Sequence, residues 1–265
     1  MPKSVLIGIA GGSGSGKSYL ANFLQAQLGS SLVAVLSMDQ YFRSRPPGEE
    51  ISVHEINFDH PAHIEIDLLM ADLTSLREGK TVLAPDYDFL TQKQQPNKVR
   101  IDPAPVIIVE GLFVLAKPIV ELFDLTVFLD VEADQRLIGR ILRDLQERGS
   151  TVEWAVDRYQ RFVRPSYLAF VEPTKQNADV VVDFTYRRAF FQELLLHMVQ
   201  HYASRDVDVP TLIESIRNDT YNMGIREGRP ASTSIDLRSA SLVIPEAPPV
   251  GPGQGKEPQL WTDGV

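Results

Sequence analysis

The chain has 265 residues, 43% hydrophobic and 23% charged, an ordinary globular composition and enough chain to bury a sizeable core. A formal charge of -9 argues against a nucleic-acid or anionic-membrane partner, and the absence of cysteine excludes a disulfide framework, a thiolate metal site and a cysteine nucleophile. Small anionic ligands stay compatible with that balance, a cytoplasmic location suits the lack of cysteine, and no apolar run approaches the ~18 residues of a membrane span.

Residues 4–10 read as a short apolar strand, and Gly11-Gly12-Ser13-Gly14-Ser15-Gly16-Lys17-Ser18 follows at once, the pattern G-x-x-x-x-G-K-[ST]. A loop wrapped around phosphate oxygens must turn its N–H groups inward, which requires glycines free to take positive φ. Lys17 adds a point charge, and the helix opening there aims its positive end at the same oxygens. The Ser18 hydroxyl is placed to ligate magnesium. With Tyr19 beside it, this stretch is the expected nucleotide-binding set. The helix runs over about 18–28 with Gly29 as its stop. A flexible Gly/Ser linker is the alternative, but linkers do not lie between an apolar strand and a capped helix.

Residues 32–37 read as a second buried strand, with Asp39 just beyond its C-terminal end, where open α/β sheets place their ligands. Asp39 is either a catalytic carboxylate that accepts a hydroxyl proton or a turn or N-cap aspartate. Residues 43–51, with Pro46, Pro47 and Gly48, read as an exposed loop able to move over a substrate. In Asn57-Phe58-Asp59-His60-Pro61, Asp59 can accept from both hydroxyls of a vicinal diol or simply form a turn. A core-facing helix is expected over 64–77, closed by Gly79.

Short strands at 82–84 and 99–101 flank Pro85-Asp86-Tyr87-Asp88-Phe89, whose Tyr87 and Phe89 suit stacking on a flat ring or packing in the core. Residues 106–109 form a fully apolar strand ending in Glu110, either an acid that a buried strand delivers to a magnesium shell or a solvated strand-end glutamate. A further strand covers 125–129. On the helix expected over 133–148, ~100° per residue puts Arg136, Arg140 and Arg143 on one face, opposite Leu137, Ile138, Ile141, Leu142 and Leu145. Guanidinium forks projecting together suit phosphate oxygens, hence a lid over the nucleotide. The alternative is a solvated face on which Asp134, Asp144 and Glu147 pair with the arginines.

An amphipathic helix over 154–163 is expected to end or kink at Pro165, and a last buried strand covers 178–183. A helix over 190–202 sets His197 and His201 one turn apart, read as structural because the glutamate of H-E-x-x-H is missing. Residues 209–223 read as one more helix. The whole is expected to be a doubly wound, mostly parallel α/β sheet with helices on both faces. It divides into a P-loop domain over 1–205 with a lid at about 136–165, a helical extension over 206–226 and a disordered tail over 227–265.

The order of these pieces resembles the uridine kinase (uridine-cytidine kinase) family, in the phosphoribulokinase-like group of P-loop kinases, over about residues 4–183. The motifs that carry the resemblance are the glycine loop at 11–18, Ser-Met-Asp-Gln-Tyr at 37–41, Asn-Phe-Asp-His-Pro at 57–61, Tyr-Asp-Phe at 87–89 and Glu-Gly at 110–111. Arg-Asp-x-x-Glu-Arg-Gly at 143–149, Val-Arg-Pro at 163–165 and Glu-Pro-Thr-Lys-Gln-x-Ala-Asp at 172–179 follow. The resemblance implies transfer of the γ-phosphate of ATP or GTP, with Mg2+, to the 5′-hydroxyl of uridine or cytidine. It makes Asp39 the base, gives the ribose hydroxyls to Asp59 and Arg140, and gathers Ser18, Asp39 and Glu110 around magnesium, directly or through water. Lys17 would neutralise the β and γ oxygens, with Arg143 and Arg148 closing on the phosphates.

This sequence departs from that pattern where the base is read, with Gln92, Ser150 and Arg158 in place of the usual histidine, arginine and glutamine. Tyr87, Phe89, Gln92 and Arg158 therefore complete the expected substrate set, with altered selectivity but intact phosphate machinery. A kinase of the same group acting on another nucleoside, a sugar phosphate or pantothenate is the nearest rival, and a nucleotide-binding regulatory module is the rival from another class. Expected partners are a small nucleoside-like molecule and further copies of the chain, with neither nucleic acid nor membrane.

Overall fold

The computed structural model describes residues 4–44, 55–89 and 91–204. Most of the predicted loop at 43–51, and all of the helix at 209–223 and the tail, lie outside these residues. In chain order the elements are β1 (Val5–Gly11), α1 (Lys17–Leu28), β2 (Val33–Ser37), α2 (Ile66–Arg77), β3 (Val82–Asp88) and β4 (Lys93–Ile101). Then come β5 (Val106–Glu110), β6 (Leu125–Asp130), α3 (Ala133–Glu147), α4 (Val152–Arg158), α5 (Arg164–Ser166), β7 (Val180–Asp183) and α6 (Arg188–Ser204).

β1 is buried along its whole length because it is the middle strand of a sheet ordered β2-β5-β1-β6-β7. Every pairing in that sheet is parallel, so both faces must be covered by crossover helices and the inner strands read as continuous apolar runs. Leu6 and Ala10 of β1 face one layer, where α2 supplies Leu69, Leu73 and Leu76. Val5, Ile7 and Ile9 face the other, against Leu20 and Leu24 of α1 and Phe191 and Leu195 of α6. The doubly wound architecture holds. Its consequence for function is that the C-terminal ends of β1, β2 and β5 open together, on either side of the point where the strand order reverses.

Three features differ from expectation. β3 and β4 are longer than the predicted 82–84 and 99–101, forming their own antiparallel pair with a register shift between Ala84 and Asp86. Pro85 stands at the shift and has no N–H to donate, so the ladder slips there. Pro165 neither ends nor sharply diverts its helix. The chain widens into a π turn over Tyr159–Val163, where the Arg164 N–H bonds to the Tyr159 carbonyl, so the proline enters at the start of α5 and the path stays helical to Asn177.

The third is α3, which reverses the usual amphipathic arrangement. Arg136, Arg140 and Asp144 are buried, while Ile138 and Leu142 are 52% and 53% exposed. The solvated arginine face is therefore corrected: the charged side is turned inward, against the phosphate loop.

Candidate active site

The loop after β1 uses glycine where its backbone demands it. Gly14 (φ 81°) and Gly16 (φ 86°) occupy the left-handed region, and Gly16 is the residue from which α1 starts. No side chain caps that helix and its first turn holds no acid, so its leading N–H groups and positive dipole end remain for a ligand. Lys17 is buried, and its Nζ donates to the Gly12 carbonyl at 3.0 Å. Burial lowers the Lys17 pKa, and the Glu110 and Asp39 carboxylates oppose that shift.

Asp39 sits in the 3-10 turn Met38–Tyr41 that follows β2. Ser37 caps this turn, its Oγ accepting from the Asp39 N–H at 3.3 Å, so the cap reading belongs to Ser37 while Asp39 lines the cleft. At the end of the neighbouring strand Glu110 is 4% exposed, and Ser37 Oγ donates to its Oε1 at 2.6 Å. Burial, then the Asp39 charge, push the Glu110 carboxyl up, while Lys17 and hydrogen bonds from Ser37 and Ser18 pull it down. Ser18, Asp39 and Glu110 thus offer a hydroxyl and two carboxylates, the oxygen donors that magnesium takes when substrate phosphates complete its shell. Two carboxylates whose charges oppose each other at a buried site fit a dication.

The acceptor residues come from different elements. The Asp59 turn is held by Asn57, whose Oδ1 accepts from the Asp59 N–H at 3.1 Å. Arg140 reaches from α3 to both sides of the cleft, its Nη1 donating to Ser13 Oγ at 2.7 Å and lying 3.7 Å from Asp59 Oδ1. Asp144, wholly buried, anchors the cationic group: Arg140 Nε lies 3.3 Å from it, Arg143 Nη2 2.9 Å and Arg148 Nε 3.7 Å. Of the three acids that the sequence offered as partners, packing selects this one. Arg148 lies over the Phe89 ring at 4.3 Å, and burial, reinforced by the Arg143 charge, brings its pKa down to about 10.

Tyr87 belongs to the buried core and also lines the cleft, its ring 5.1 Å from that of Phe89, so the core reading is met. Gln92 is 8% exposed with φ 58°, and its Oε1 has no hydrogen-bond partner among the described residues. Arg158 is 1% exposed; its Nη2 donates to the Ile56 carbonyl at 2.6 Å, and its guanidinium lies 4.7 Å over Phe162 and 5.4 Å over Trp154.

All the predicted site residues except Gly11, Gly12 and Ser15 line one cleft of about 1430 Å³. Arg136 is not among them and must be separated from the phosphate-facing arginines. Among the other cleft residues, Ser37 and Arg188 were given no role by the sequence. Ser37 carries a local signal, the S-x-x-Q of a capping box at 37–40. Arg188, over the Tyr19 ring at 4.7 Å, has none, because only the return of the chain after β7 brings it beside Gly16. His197 is exposed on α6, and the side chain of His201 lies outside the described residues. No described helix is long and apolar enough to cross a membrane.

A glycine loop at the switch point of a parallel sheet, with a buried lysine and strand-end carboxylates around it, marks a P-loop nucleotide site, and its relatives make the protein a phosphotransferase acting on a hydroxyl group. The profile of the Phosphoribulokinase / Uridine kinase family matches residues 6–189, and the chain belongs to that family. It is 40% identical over 186 residues to a uridine kinase of Brevibacillus brevis, covering 69% of this chain and 86% of that one. It is 41% identical over 180 residues to a uridine kinase of Chloroflexus aurantiacus, covering 67% and 85%. Among solved structures, a putative fructose transport system kinase from Silicibacter sp. aligns with TM-score 0.54 at 22% identity, over 66% of this chain and 86% of that chain, a likeness of fold alone.

Proposed function

We propose that the protein transfers the γ-phosphoryl group of ATP or GTP to the 5′-hydroxyl of a pyrimidine nucleoside, uridine or cytidine, in the cytoplasm. The observation that carries this reading is Arg140, one guanidinium shared between Ser13 of the phosphate loop and Asp59 of the acceptor turn. A ribose held by Asp59 and Arg140 through its vicinal hydroxyls presents its primary hydroxyl along the same cleft. Asp39 takes the proton from that hydroxyl as the oxygen attacks phosphorus, and the leaving diphosphate oxygens are met by Lys17, Arg143 and Arg148. Ser18, Asp39 and Glu110 would hold magnesium, which would supply charge neutralisation to the triphosphate. Arg143 and Arg148 then act as the lid, since Asp144 can release part of its hold as phosphate oxygens take over their guanidinium forks, while the start of the helix stays packed on the phosphate loop.

Uridine kinases among the relatives support the nucleoside acceptor. A second reading, another small alcohol as acceptor, is favoured by one feature: the acceptor end carries the buried cation Arg158 near Asp59, a charged group where a neutral base is to be read. An acceptor panel tests both. Triphosphate consumption is measured with uridine, cytidine, purine nucleosides, sugar phosphates and pantothenate, and turnover by any of the others with inert uridine and cytidine overturns the first reading.

A further inference from the structure

The arginines of α3 do not share one task. Arg140 and Arg143 line the cleft, whereas Arg136 is 5% exposed and packs against the phosphate loop away from it. Its Nε donates to the Val131 carbonyl at 3.0 Å, and its guanidinium carbon lies 3.8 Å from the centre of the Tyr167 ring. A Cβ placed on Gly12 would fall on this guanidinium, so the group is in contact with the Gly12 backbone. The Gly12 carbonyl in turn accepts from Lys17 Nζ at 3.0 Å and from the Ser15 N–H at 3.1 Å. Further along the same helix, a Cβ on Gly139 would stand 3.2 Å from the Gly14 carbonyl, so the close approach continues.

We propose that Arg136 is a positioning residue for the phosphate donor: it fixes the Gly12 peptide, and through it the place from which the Lys17 ammonium meets the phosphates. A run of glycines has little preference of its own for one backbone conformation, so an anion nest held ready before the ligand arrives needs a wall outside the loop. A guanidinium supplies that wall because it is planar, stacking on Tyr167 with one face while its Nε donates in the plane. A lysine cannot do both. The brace also reaches the acceptor side. Ser166, next to Tyr167, bonds Asn57 through its Oγ at 2.9 Å, and Asn57 holds the Asp59 turn. Adjacent residues of one helical segment therefore secure the acceptor turn and the support of the phosphate loop.

This inference rests on the loop being a triphosphate site, and the test separates the two. Calorimetry with ATP and magnesium is run on the full chain, beside steady-state kinetics with the acceptor that turns over. No ATP uptake by the unaltered protein overturns the reading of the loop and the brace with it. Given uptake, Arg136→Met is expected to weaken ATP binding and lower kcat by about tenfold or more, with the acceptor KM kept within about twofold. Tyr167→Phe keeps the ring and behaves as the unaltered protein. Tyr167→Leu moves ATP affinity the same way as Arg136→Met and adds nothing to it in the double variant, and Arg136→Lys recovers only part of the loss. Gly12→Ala, whose methyl displaces the guanidinium, reproduces the effect and with Tyr167→Leu carries the test should Arg136→Met not fold. A folded Arg136→Met with unchanged ATP affinity and kcat, or one that raises both KM values equally, overturns the positioning role alone.

Discussion

Ser37 and Glu110 are register partners at the ends of β2 and β5, and the Ser37 hydroxyl closes the pair by donating to Glu110 Oε1 at 2.6 Å. Two neighbouring parallel strands thus end in a hydroxyl and a carboxylate locked to each other, beneath Asp39. Removing the donor leaves Glu110 buried near a like charge with less to hold it ionised and oriented. Ser37→Ala is therefore expected to raise the magnesium concentration that half-saturates turnover by about tenfold, the lower end of what supporting hydrogen bonds to metal ligands contribute. A magnesium titration of kcat checks this, and an unchanged midpoint would place Glu110 outside the metal shell.

Asp39 follows Ser37 by two residues but is asked for different chemistry. If it accepts the acceptor's proton, Asp39→Asn lowers kcat by about 10²- to 10⁴-fold, since an amide has no basic oxygen at neutral pH. ATP affinity measured by calorimetry should stay within a few-fold, because the phosphate loop and Lys17 are untouched. Equal turnover in the variant would remove Asp39 as the base, and little turnover with any alcohol, in variant and unaltered protein alike, would favour a nucleotide-binding module without acceptor chemistry.

Much of this site was legible in the sequence, and the parts that were not share a cause. The glycine loop could be read because phosphate binding by backbone N–H groups dictates glycine at specified positions, and Glu110 because a buried parallel strand leaves few places for an acid. The helical wheel of α3 correctly grouped Arg136, Arg140 and Arg143 on one face. It could not say what that face meets. Depth along the helix decides that Arg136 packs on Gly12 and Arg140 reaches Ser13. The choice of Asp144 over Asp134 and Glu147, and the arrival of Arg188 beside Gly16, likewise depend on contacts distant in the chain. Local rules also failed where a local exception intervened: a π turn carried the chain through Pro165, and a polar ladder with little apolar alternation extended β4 back to Lys93.

Asp59 and Arg140 form a close pair, each 5–6% exposed, yet their variants should differ. If Asp59 serves the acceptor alone, Asp59→Asn is expected to raise the acceptor KM by about tenfold or more while the ATP KM stays nearly constant. Arg140 also holds Ser13 of the phosphate loop, and Arg140→Gln is expected to raise both. Kinetics with each substrate varied in turn distinguish the two patterns. An Asp59→Asn variant that alters only the ATP KM would remove Asp59 from the acceptor site.

Gln92 separates stability from recognition. Its backbone lies at φ 58°, a region that costs a side-chain-bearing residue about 1 kcal/mol and glycine almost nothing. Its side chain is buried, and Oε1 has no partner among the described residues, a second cost. A residue retained against both is explained if the amide completes its hydrogen bonds on the acceptor. Gln92→Gly is then expected to raise unfolding stability by roughly 0.5–1 kcal/mol in the absence of ligand, while raising the acceptor KM and narrowing the difference between uridine and cytidine. Denaturant unfolding and paired kcat/KM values measure the two sides independently. A variant that gains stability with acceptor selectivity intact would mean that the amide is not used on the acceptor, and that base reading rests with Ser150, Arg158 and the Tyr87–Phe89 rings. Gln92→His combined with Ser150→Arg tests the same subsite in the opposite direction and should improve pyrimidine use.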